Sequence, residues 1–292
     1  MALAITVTPL TPVIGAEITG IDAANLSAEE FRDVFRAFTE HSVIFLKGQK
    51  ALSAEEHRDF ALRFGDIHVH PAARGKEAQV PGAMKMRTTE ESEVAAGNRW
   101  HSDVSCDAEP PQASILQLHT LPTYGGDTLF SSMYAAYDTL SDRMKQYLDG
   151  MTALHSGEEP FAHLFKFERQ NGSTPWPESH HPIVRKHKDS GRPALFVNRE
   201  FTKKIDDLPK EEARSLLDFL CSHLERVDFQ CRFRWSPNDI AIWDNRCVLH
   251  HAIWDYWPEE RLGRRISVVG EVPEPWVLGR DQHQPVATRL TR

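Results

Sequence analysis

The sequence predicts a mainly β fold, a jelly-roll-like double sheet with a few helices packed outside it. Short runs of β-branched and aromatic residues recur along the chain, separated by turns that contain Gly, Pro, Asn and Asp. In DFQCRFRW (228–235) apolar and polar residues alternate, which gives a strand one apolar and one polar face. Helical segments are few and interrupt the strands, as expected when helices cover packed sheets.

Two S-x-x-E capping boxes, beginning at Ser27 and Ser53, mark the first helices. Each box precedes a segment with helical apolar spacing, so we predict helices over about 28–40 and about 54–64. The run between them, SVIFLKG (42–48), predicts a buried strand because it is continuously apolar and rich in β-branched and aromatic residues.

The segment 72–98 follows, and it is rich in Ala, Gly, Pro and charged residues. It is too polar for a core element and longer than an ordinary connection, which predicts a lid loop. A second irregular segment, 158–182, is expected to form a covering loop. We expect the whole chain, 1–292, to form a single domain with a loose polar tail over 279–292.

The remaining elements are predicted to be mainly strands. Two helices interrupt them, at about 134–149, with Gly150 as a C-cap, and at about 208–225. The predicted strands are SILQLHTL, DTLFSS, RPALFVN, DFQCRFRW, DIAIW and RRISVVG.

The composition is that of a globular protein with a small-molecule partner. The chain has 292 residues, 40% of them hydrophobic, and a formal net charge of −8 with scattered basic residues, which disfavours a nucleic-acid surface. Its four cysteines lack the spacing of a zinc knuckle and the density of a disulfide framework, so we expect free thiols in a reducing compartment. No leader or membrane segment is apparent, and we expect a cytoplasmic protein.

The segment RWHSDVSC (99–106) carries a possible pair of metal ligands. On an extended strand, residues two apart point to the same side, so His101 and Asp103 are expected to project together. Taken alone, such a pair is more often a surface contact between the two side chains than a pair of metal ligands. Near the other end of the chain, His250 or His251 would complete a set of two histidines and one carboxylate, which suits octahedral Fe(II) with open positions. Alternation allows only one of these adjacent histidines to be the ligand.

Four segments in the same order resemble the TauD/TfdA family of Fe(II)- and 2-oxoglutarate-dependent dioxygenases. They are WHSDVS, PPQASILQLHTLPTYGGDTLF, WDNRCVLHHA and RRISVVG, within a similarity that runs from about residue 5 to 275. The resemblance implies a double-stranded β-helix, Fe(II), 2-oxoglutarate as cosubstrate and O2. It also implies that His101, Asp103 and His250 are the iron ligands.

The same resemblance implies a site for the cosubstrate. Arg265 is expected to bind the far carboxylate of 2-oxoglutarate, for which a planar guanidinium is suited. Thr128, in GGDTLF, matches the position whose hydroxyl assists that carboxylate.

The substrate side of the resemblance rests on FGDIHVHPAARG, where His70 matches a histidine that contacts the substrate anion. A local structural hydrogen bond is the alternative role for His70. Asn98 is a further candidate for a polar substrate contact. Cys106 stands where family members commonly have an aromatic residue, so the pocket is expected to differ; a small packed thiol is its simplest role.

These features predict an enzyme that hydroxylates a small anionic substrate and releases succinate and CO2. Taurine, another sulfonate, an alkyl sulfate and an aryloxy acid all remain open as substrates. The alternatives are a zinc-dependent hydrolase or lyase with the same ligands, and a non-catalytic protein that binds 2-oxoglutarate. The resemblance also suggests a homo-oligomer, a dimer or a tetramer, with neither nucleic acid nor a membrane as partner.

Overall fold

The computed structural model describes residues 5–74, 80–167 and 175–279 of the chain. The predicted loose tail over 279–292 therefore lies almost entirely outside the described residues. Within the described residues the protein is mainly β with some helices, and the predicted class is confirmed. None of the helices in this part of the chain combines the length and apolar character needed to cross a bilayer.

The helices agree with the predicted segments except that one segment is divided. The capping boxes at Ser27 and Ser53 are both present, with the serine side chain and the third helical residue bonded reciprocally. The predicted helix at 134–149 forms two helices, because the Ser141 side chain accepts a hydrogen bond from the Met144 N–H and starts a new helix. The helices are α1 (Ala28–His41), α2 (Ala54–Leu62), α3 (Met133–Asp138), α4 (Asp142–Leu148) and α5 (Lys210–Leu224).

All of the predicted strands are present, and others join them. The strands are β1 (Thr6–Pro9), β2 (Ala16–Thr19), β3 (Val43–Leu46), β4 (Ile67–His68), β5 (Met84–Thr88), β6 (Ala113–Thr120), β7 (Thr128–Ser132), β8 (Thr152–Ser156), β9 (Glu178–Pro182), β10 (Val184–Lys186), β11 (Pro193–Leu195), β12 (Thr202–Ile205), β13 (Gln230–Phe233), β14 (Ile240–Asp244), β15 (Val248–Ala252), β16 (Arg261–Val268) and β17 (Glu274–Pro275).

An eight-stranded sheet and a smaller sheet form the centre of the molecule. The larger sheet has the order β1-β2-β3-β14-β6-β16-β4, with β5 also paired to β16, and the smaller sheet has the order β13-β7-β15. The rings of Phe45 on β3 and Phe233 on β13 stack at 3.8 Å, and Phe45 also meets Phe130 on β7 at 5.5 Å. The two sheets therefore pack face to face across an aromatic core.

The central strands β3 and β14 of the larger sheet are fully buried, which explains their continuously apolar sequences. Val43 and Phe45 of β3 belong to the core between the sheets, whereas Ile44 and Leu46 pack in a second core with residues of α1 and α2. A strand covered on both faces needs apolar residues at every position. SVIFLKG was recognisable as a strand for this reason.

Two segments predicted as loops contain regular structure. The 72–98 segment includes β5, which pairs antiparallel with β16 from Arg261↔Thr88 to Arg265↔Met84. The 158–182 segment begins with a π-helix at Glu158–Leu164 and ends in β9. Edge strands such as β5 lack a long apolar run, so their pairing was not visible in the sequence.

Candidate functional site

Three buried side chains that are distant in the sequence meet beside the smaller sheet. The possible ligand atoms of His101, Asp103 and His250 all lie within 4.8 Å of one another. Asp103 Oδ1 lies 3.6 Å from His101 Nε2 and 3.9 Å from His250 Nε2. Two imidazole nitrogens and a carboxylate oxygen thus face a common point, as the sequence predicted.

Paired backbone hydrogen bonds bring the two histidines together. The His101 N–H donates to the His250 carbonyl (3.1 Å), and the His250 N–H donates to the His101 carbonyl (2.8 Å). His250 lies on β15, but His101 forms only an isolated bridge and Asp103 lies in a turn, in which Val104 has a φ of 46°. The prediction that His101 and Asp103 share a strand is therefore wrong. The turn, and not strand alternation, directs the carboxylate towards the imidazoles.

The Asp103 carboxylate is held from both sides. Its Oδ2 accepts a hydrogen bond from Ser114 Oγ (2.7 Å) on β6, and its Oδ1 contacts the guanidinium of Arg265 on β16. Asn245 accepts the Asp103 backbone N–H (3.2 Å) and donates to Ser114 Oγ (2.9 Å). Asn245 was not predicted, although it lies in the WDNR segment just before His250. Contacts of this kind fix the orientation of a metal-ligating carboxylate.

The charges in the cluster favour cation binding. Burial alone raises the pKa of Asp103, but Arg265 and His250 outweigh burial and hold it well below its ordinary value. Burial lowers the pKa of His250, and the neighbouring His101 lowers it further. The His101 Nδ1 lies 2.8 Å from the Arg99 carbonyl, which can only accept, so Nδ1 carries a proton and Nε2 faces Asp103. For His101, burial is outweighed by Glu200 and Asp103, which raise its pKa.

His251 points away from this cluster, which decides between the adjacent histidines. Its Nε2 lies 3.1 Å from Asn98 Oδ1, and its ring packs against Trp100 at 5.5 Å. The sequence proposed Asn98 as a substrate contact. The structure instead places Asn98 against His251, where it lines a small side cavity and not the cavity at the cluster.

A cavity of about 330 Å³ opens onto the three side chains. Five aromatic side chains contribute to its wall, and its buried charged groups besides Asp103 are two arginines and a glutamate. The aromatic residues are Phe161, Phe165, Phe167, Phe201 and Trp243. The charged groups are Arg261, Arg265 and Glu200. A small organic anion fits such a cavity in size and polarity.

Thr128 lies beside Arg261, a residue that the sequence did not single out. Arg261 Nη2 is 3.4 Å from Thr128 Oγ1, and the same hydroxyl accepts a hydrogen bond from Trp235 Nε1 (3.0 Å). Because both lone pairs of the hydroxyl are engaged, its proton is free to donate to a ligand. Burial lowers the pKa of Arg261, and its Nε has no hydrogen-bond partner in the described part of the chain. A buried guanidinium that has an N–H group without an acceptor is suited to bind an anion.

Arg265 was expected to share the far carboxylate of 2-oxoglutarate with Thr128, but it is Arg261 that lies beside Thr128. Arg265 contacts Asp103, and its Nη2 lies 3.9 Å from Met84 Sδ, a weak acceptor. Along β16 the two arginines are four residues apart, so they share a face at a spacing of roughly 13 Å. Arg265 therefore lies at the part of the cavity next to Asp103, and Arg261 at the part beside Thr128.

Gly263 lies between the two arginines and is needed for their placement. A Cβ atom at this position would lie 2.2 Å from the Gln117 carbonyl oxygen and 2.6 Å from Leu118 Cδ2. The pairing of β16 with β6 shifts register between Leu262 and Gly263. Glycine thus permits the close approach of β6 at the irregularity that separates Arg261 from Arg265.

His70 lines the cavity as a neutral hydrogen-bond donor. Its Nδ1 accepts the Ala72 N–H (3.1 Å), so the proton of the neutral ring is on Nε2. Burial, reinforced by Arg265, lowers its pKa to about 3. The local hydrogen bond weighed from the sequence is therefore present at Nδ1, while the substrate contact stays a prediction for Nε2. The ring packs edge-on against Phe161 at 5.0 Å.

Cys106 is a packing residue and does not line the cavity. It is fully buried in a cluster with Val104, Phe161, Trp176 and Phe201. Burial, with a contribution from Asp107, raises the pKa of its thiol well above the ordinary value. The thiol is therefore uncharged and shielded, as the sequence-based interpretation expected.

A second group of possible ligands, His187, Asp244 and Cys247, is also buried. Asp244 Oδ2 is already engaged by His187 Nε2 (2.9 Å) and by Arg246 Nη2 (2.7 Å). Arg246 Nε also donates to Asp244 Oδ1 (2.8 Å), so both carboxylate oxygens are engaged within the protein, and we interpret the group as a structural ion-pair network.

Comparisons with known proteins agree with this geometry. The family model described as "Taurine catabolism dioxygenase TauD, TfdA family" matches residues 6–267. An α-ketoglutarate-dependent sulfate ester dioxygenase of Pseudomonas putida is 34% identical to this chain over 93% of the chain and 92% of its own length. A putative α-ketoglutarate-dependent sulfonate dioxygenase of Schizosaccharomyces pombe is 33% identical over 89% of this chain and 68% of its own length.

A solved structure has the same fold. The crystal structure of a putative α-ketoglutarate-dependent taurine dioxygenase from Burkholderia xenovorans superposes with a TM-score of 0.80 and 32% identity. The match covers 93% of this chain and 92% of that one.

Proposed function

The chain belongs to the TauD/TfdA family and is a 2-oxoglutarate-dependent dioxygenase, and we propose that it uses Fe(II) to hydroxylate a small sulfonate or sulfate ester. Succinate and CO2 are the co-products of this reaction. The observation that carries the proposal is the convergence of His101, Asp103 and His250 beside a cavity with two buried arginines.

The three side chains suit a ferrous ion. Two imidazole nitrogens and one carboxylate oxygen on one side of a point are the donor set of non-haem Fe(II) oxygenases. Bound iron supplies the activation of O2 that C–H hydroxylation requires. The protein contributes preformed ligands: the Asp103 carboxylate is oriented by Ser114 and Asn245, and the His101 tautomer is fixed by the Arg99 carbonyl.

For 2-oxoglutarate, we propose that Arg261 and Thr128 bind the far carboxylate. The buried guanidinium offers N–H groups without a carboxylate partner, and the Thr128 hydroxyl has a proton left to donate. Two charge-assisted hydrogen bonds in a buried site orient the cosubstrate with respect to the metal ligands. This assignment replaces the role that the sequence gave to Arg265.

For the substrate, we propose that Arg265 and His70 bind the anionic group. Arg265 Nη2 has only a thioether nearby, and its Nε has no partner among the described residues. The neutral His70 ring directs its Nε2–H to the same cavity. A sulfonate or sulfate offers several oxygen acceptors for such donors, and the relatives named above act on a sulfate ester and a sulfonate. The aromatic wall leaves room for the organic part and excludes water from it.

The rival functions have less support. A zinc hydrolase would not need a buried arginine and threonine that fit the far carboxylate of 2-oxoglutarate. No observation favours a zinc hydrolase or a non-catalytic protein. We further propose that 1–292 is a single domain with the double-stranded β-helix topology, to which the two facing sheets conform. The oligomeric state and the cytoplasmic location stay predictions.

Succinate formation tests the proposed function. The protein is supplied with Fe(II), ascorbate and 2-oxoglutarate, and succinate is measured with a panel of sulfonates, alkyl sulfates and aryloxy acids. We expect succinate that depends on a sulfonate or an alkyl sulfate, no such succinate from Asp103→Ala, and normal turnover by Asp218→Ala, which alters an exposed acid on α5. Turnover with zinc but not iron, or no substrate-dependent succinate, contradicts the proposal.

A further inference from the structure

Asp107 is a buried acid, four residues after Asp103, that binds both ends of the segment 68–74. It is 5% exposed. Its Oδ2 atom lies 2.7 Å from His68 Nε2 and also contacts the guanidinium of Arg74. Because a carboxylate oxygen can only accept, both neighbours donate to the same atom. The segment between them, which carries His70, is therefore closed into a loop by Asp107.

The backbone of Asp107 is fixed, so its side chain is a firm point of attachment. Its N–H donates to the Val104 carbonyl (3.0 Å), which closes the turn that begins directly after Asp103. Its own carbonyl accepts a hydrogen bond from His181 Nε2 (2.9 Å) on β9. These bonds tie Asp107 to the turn that presents Asp103 to the two histidines of the cluster.

The segment 68–74 has few attachments of its own to the sheets. The pairing of β4 with β16 ends at His68. Beyond it the chain forms a single turn of 3-10 helix at Pro71–Ala73, capped by His70 Nδ1, and the His70 ring packs against Phe161. Local bonds fix the shape of this turn but not its position over the cavity. Its position depends on the contacts of Asp107 and of the His70 ring.

Loss of the Asp107 carboxylate would release the segment. The His68 side chain is 6% exposed, so its Nε2–H would be left buried without an acceptor. An unpaired buried donor is unfavourable, and the segment is expected to shift until water reaches the ring. Arg74 is half-exposed and would turn to solvent. The His70 ring, two residues from His68, would move with the backbone.

We infer that Asp107 is a positioning residue that acts through His70: by holding His68 and Arg74, it keeps the segment 68–74 where the His70 Nε2–H points into the cavity. The inference rests on the proposed function, since it takes His70 as a contact of the substrate anion. Asp107 does not itself line the cavity. Its effect on binding is to hold a donor in its binding orientation, so that little conformational entropy is lost when the anion arrives.

Hydrogen exchange of the ligand-free protein tests whether Asp107 holds the segment. The proteins compared are the wild type, Asp107→Ala, Arg74→Ala and the control Asp138→Ala. Asp138 is a matched acid, since its side chain is 11% exposed, binds Arg192 Nη2 (2.9 Å) and does not line the cavity.

The amides of Ala72 and Ala73 report on the segment, because they donate to the Nδ1 and the carbonyl of His70. We expect them to exchange at least about tenfold faster in Asp107→Ala, and faster by a smaller factor in Arg74→Ala, since local opening becomes easier. The amides of β6 should exchange as in the wild type, and Asp138→Ala should leave both regions unchanged. Wild-type exchange of Ala72 and Ala73 in Asp107→Ala and Arg74→Ala overturns the inference.

A double-mutant cycle tests whether Asp107 acts through His70. The protein is loaded with Mn(II) and N-oxalylglycine, an unreactive analogue of 2-oxoglutarate, and dissociation constants of butane-1-sulfonate and butyl sulfate are measured by calorimetry. We expect Asp107→Ala to weaken binding about threefold to tenfold, and His70→Ala by about tenfold or more, as for loss of a charged hydrogen bond. The double variant should bind no more weakly than His70→Ala, because residues that act through one another are not additive.

The possible failures are distinguishable. If Asp107→Ala weakens binding equally with and without His70, or leaves it unchanged, the inference is overturned while the proposed anion site stands. If neither probe binds the loaded wild type, the anion site fails and the inference fails with it. Weaker binding of Mn(II) or N-oxalylglycine by Asp107→Ala would assign Asp107 to the turn at Asp103 and also overturn it. Should Asp107→Ala not fold, the same cycle with Arg74→Ala decides, because Arg74 is half-exposed.

Discussion

At the scale of single residues, the two arginines of β16 differ in what surrounds them. Arg265 contacts the Asp103 carboxylate, whereas Arg261 lies 3.4 Å from the Thr128 hydroxyl and forms no ion pair within the described residues. A buried cation beside a neutral donor is stabilised when a carboxylate arrives. The assignment of the cosubstrate to Arg261 follows from this difference in partners.

Substitution of each arginine separates their roles. We expect Arg261→Ala to weaken 2-oxoglutarate binding to the Mn(II)-loaded protein by more than about a hundredfold, because loss of one side of a buried charge pair costs about 3–5 kcal/mol. Arg264→Ala, on the same strand, is the matched control and should bind normally, since Arg264 donates to the Leu52 carbonyl (3.2 Å). Calorimetric titration measures 2-oxoglutarate binding by the wild type and by the Arg261→Ala, Arg265→Ala and Arg264→Ala variants. Normal binding by Arg261→Ala together with lost binding by Arg265→Ala restores the original assignment to Arg265.

The sequence could predict the ligand residues but not which arginine serves which ligand. His101, Asp103 and His250 were recognisable because their residue types and motifs are specific. Arg261 and Arg265 lie an even number of positions apart, so alternation places both on one face and cannot distinguish them. The distinction depends on Thr128, whose strand β7 belongs to the other sheet.

At the scale of elements, the sequence predicted buried strands more accurately than exposed ones. Strand β3 is covered on both faces and was predicted from its apolar run, whereas β5 (MKMRT) alternates between half-buried and exposed residues and was predicted as loop. The turn at Asp103 was predicted as strand, because a short turn between two bridging segments leaves no periodic signal. Local capping chemistry, as at Ser27 and Ser53, was the most reliable guide to helix boundaries.

Helix α2 contains a titratable group that makes stability depend on pH. His57 is fully buried on this helix, and burial, with Arg264 and His119 nearby, lowers its pKa to about 3. In the unfolded chain the imidazole takes up a proton as the pH falls below about 6.5, while in the folded protein it stays neutral. The stability that His57 confers is therefore complete above the unfolded pKa and is lost progressively as the pH falls towards the folded pKa.

We expect His57→Leu to remove this dependence. Between about pH 7.5 and pH 5, the free energy of unfolding of the wild type should fall by about 2 kcal/mol more than that of the variant, as linkage with these pKa values requires. Denaturant unfolding of both proteins at each pH measures the difference, in which the contributions of the other buried histidines cancel. Parallel pH profiles for the two proteins would mean that His57 takes up its proton over the same pH range in the folded and unfolded states, and would contradict a lowered pKa.

At the scale of the whole molecule, the site exists only when the two sheets are packed together. Thr128 and His250 come from the smaller sheet, Arg261 and Arg265 come from the larger one, and the turn with Asp103 lies between them. The aromatic core through Phe45 and Phe233 fixes the relative position of the sheets. Ligands that bind residues of both sheets must therefore stabilise the fold as a unit.

This coupling predicts a single unfolding transition that ligands shift as a whole. With Mn(II) and N-oxalylglycine at about a hundred times their dissociation constants, the linkage relation gives roughly 3 kcal/mol of added stability, and so an increase in the melting temperature of roughly 5 °C or more. Differential scanning calorimetry measures the transition with and without the ligands. Asp103→Ala should lose the metal-dependent part of the shift, because it lacks the carboxylate ligand, while the exposed-surface variant Asp218→Ala should keep it. Two separate transitions, of which the ligands raise only one, would mean that the sheets unfold independently, and would contradict both the single domain and a site shared between the sheets.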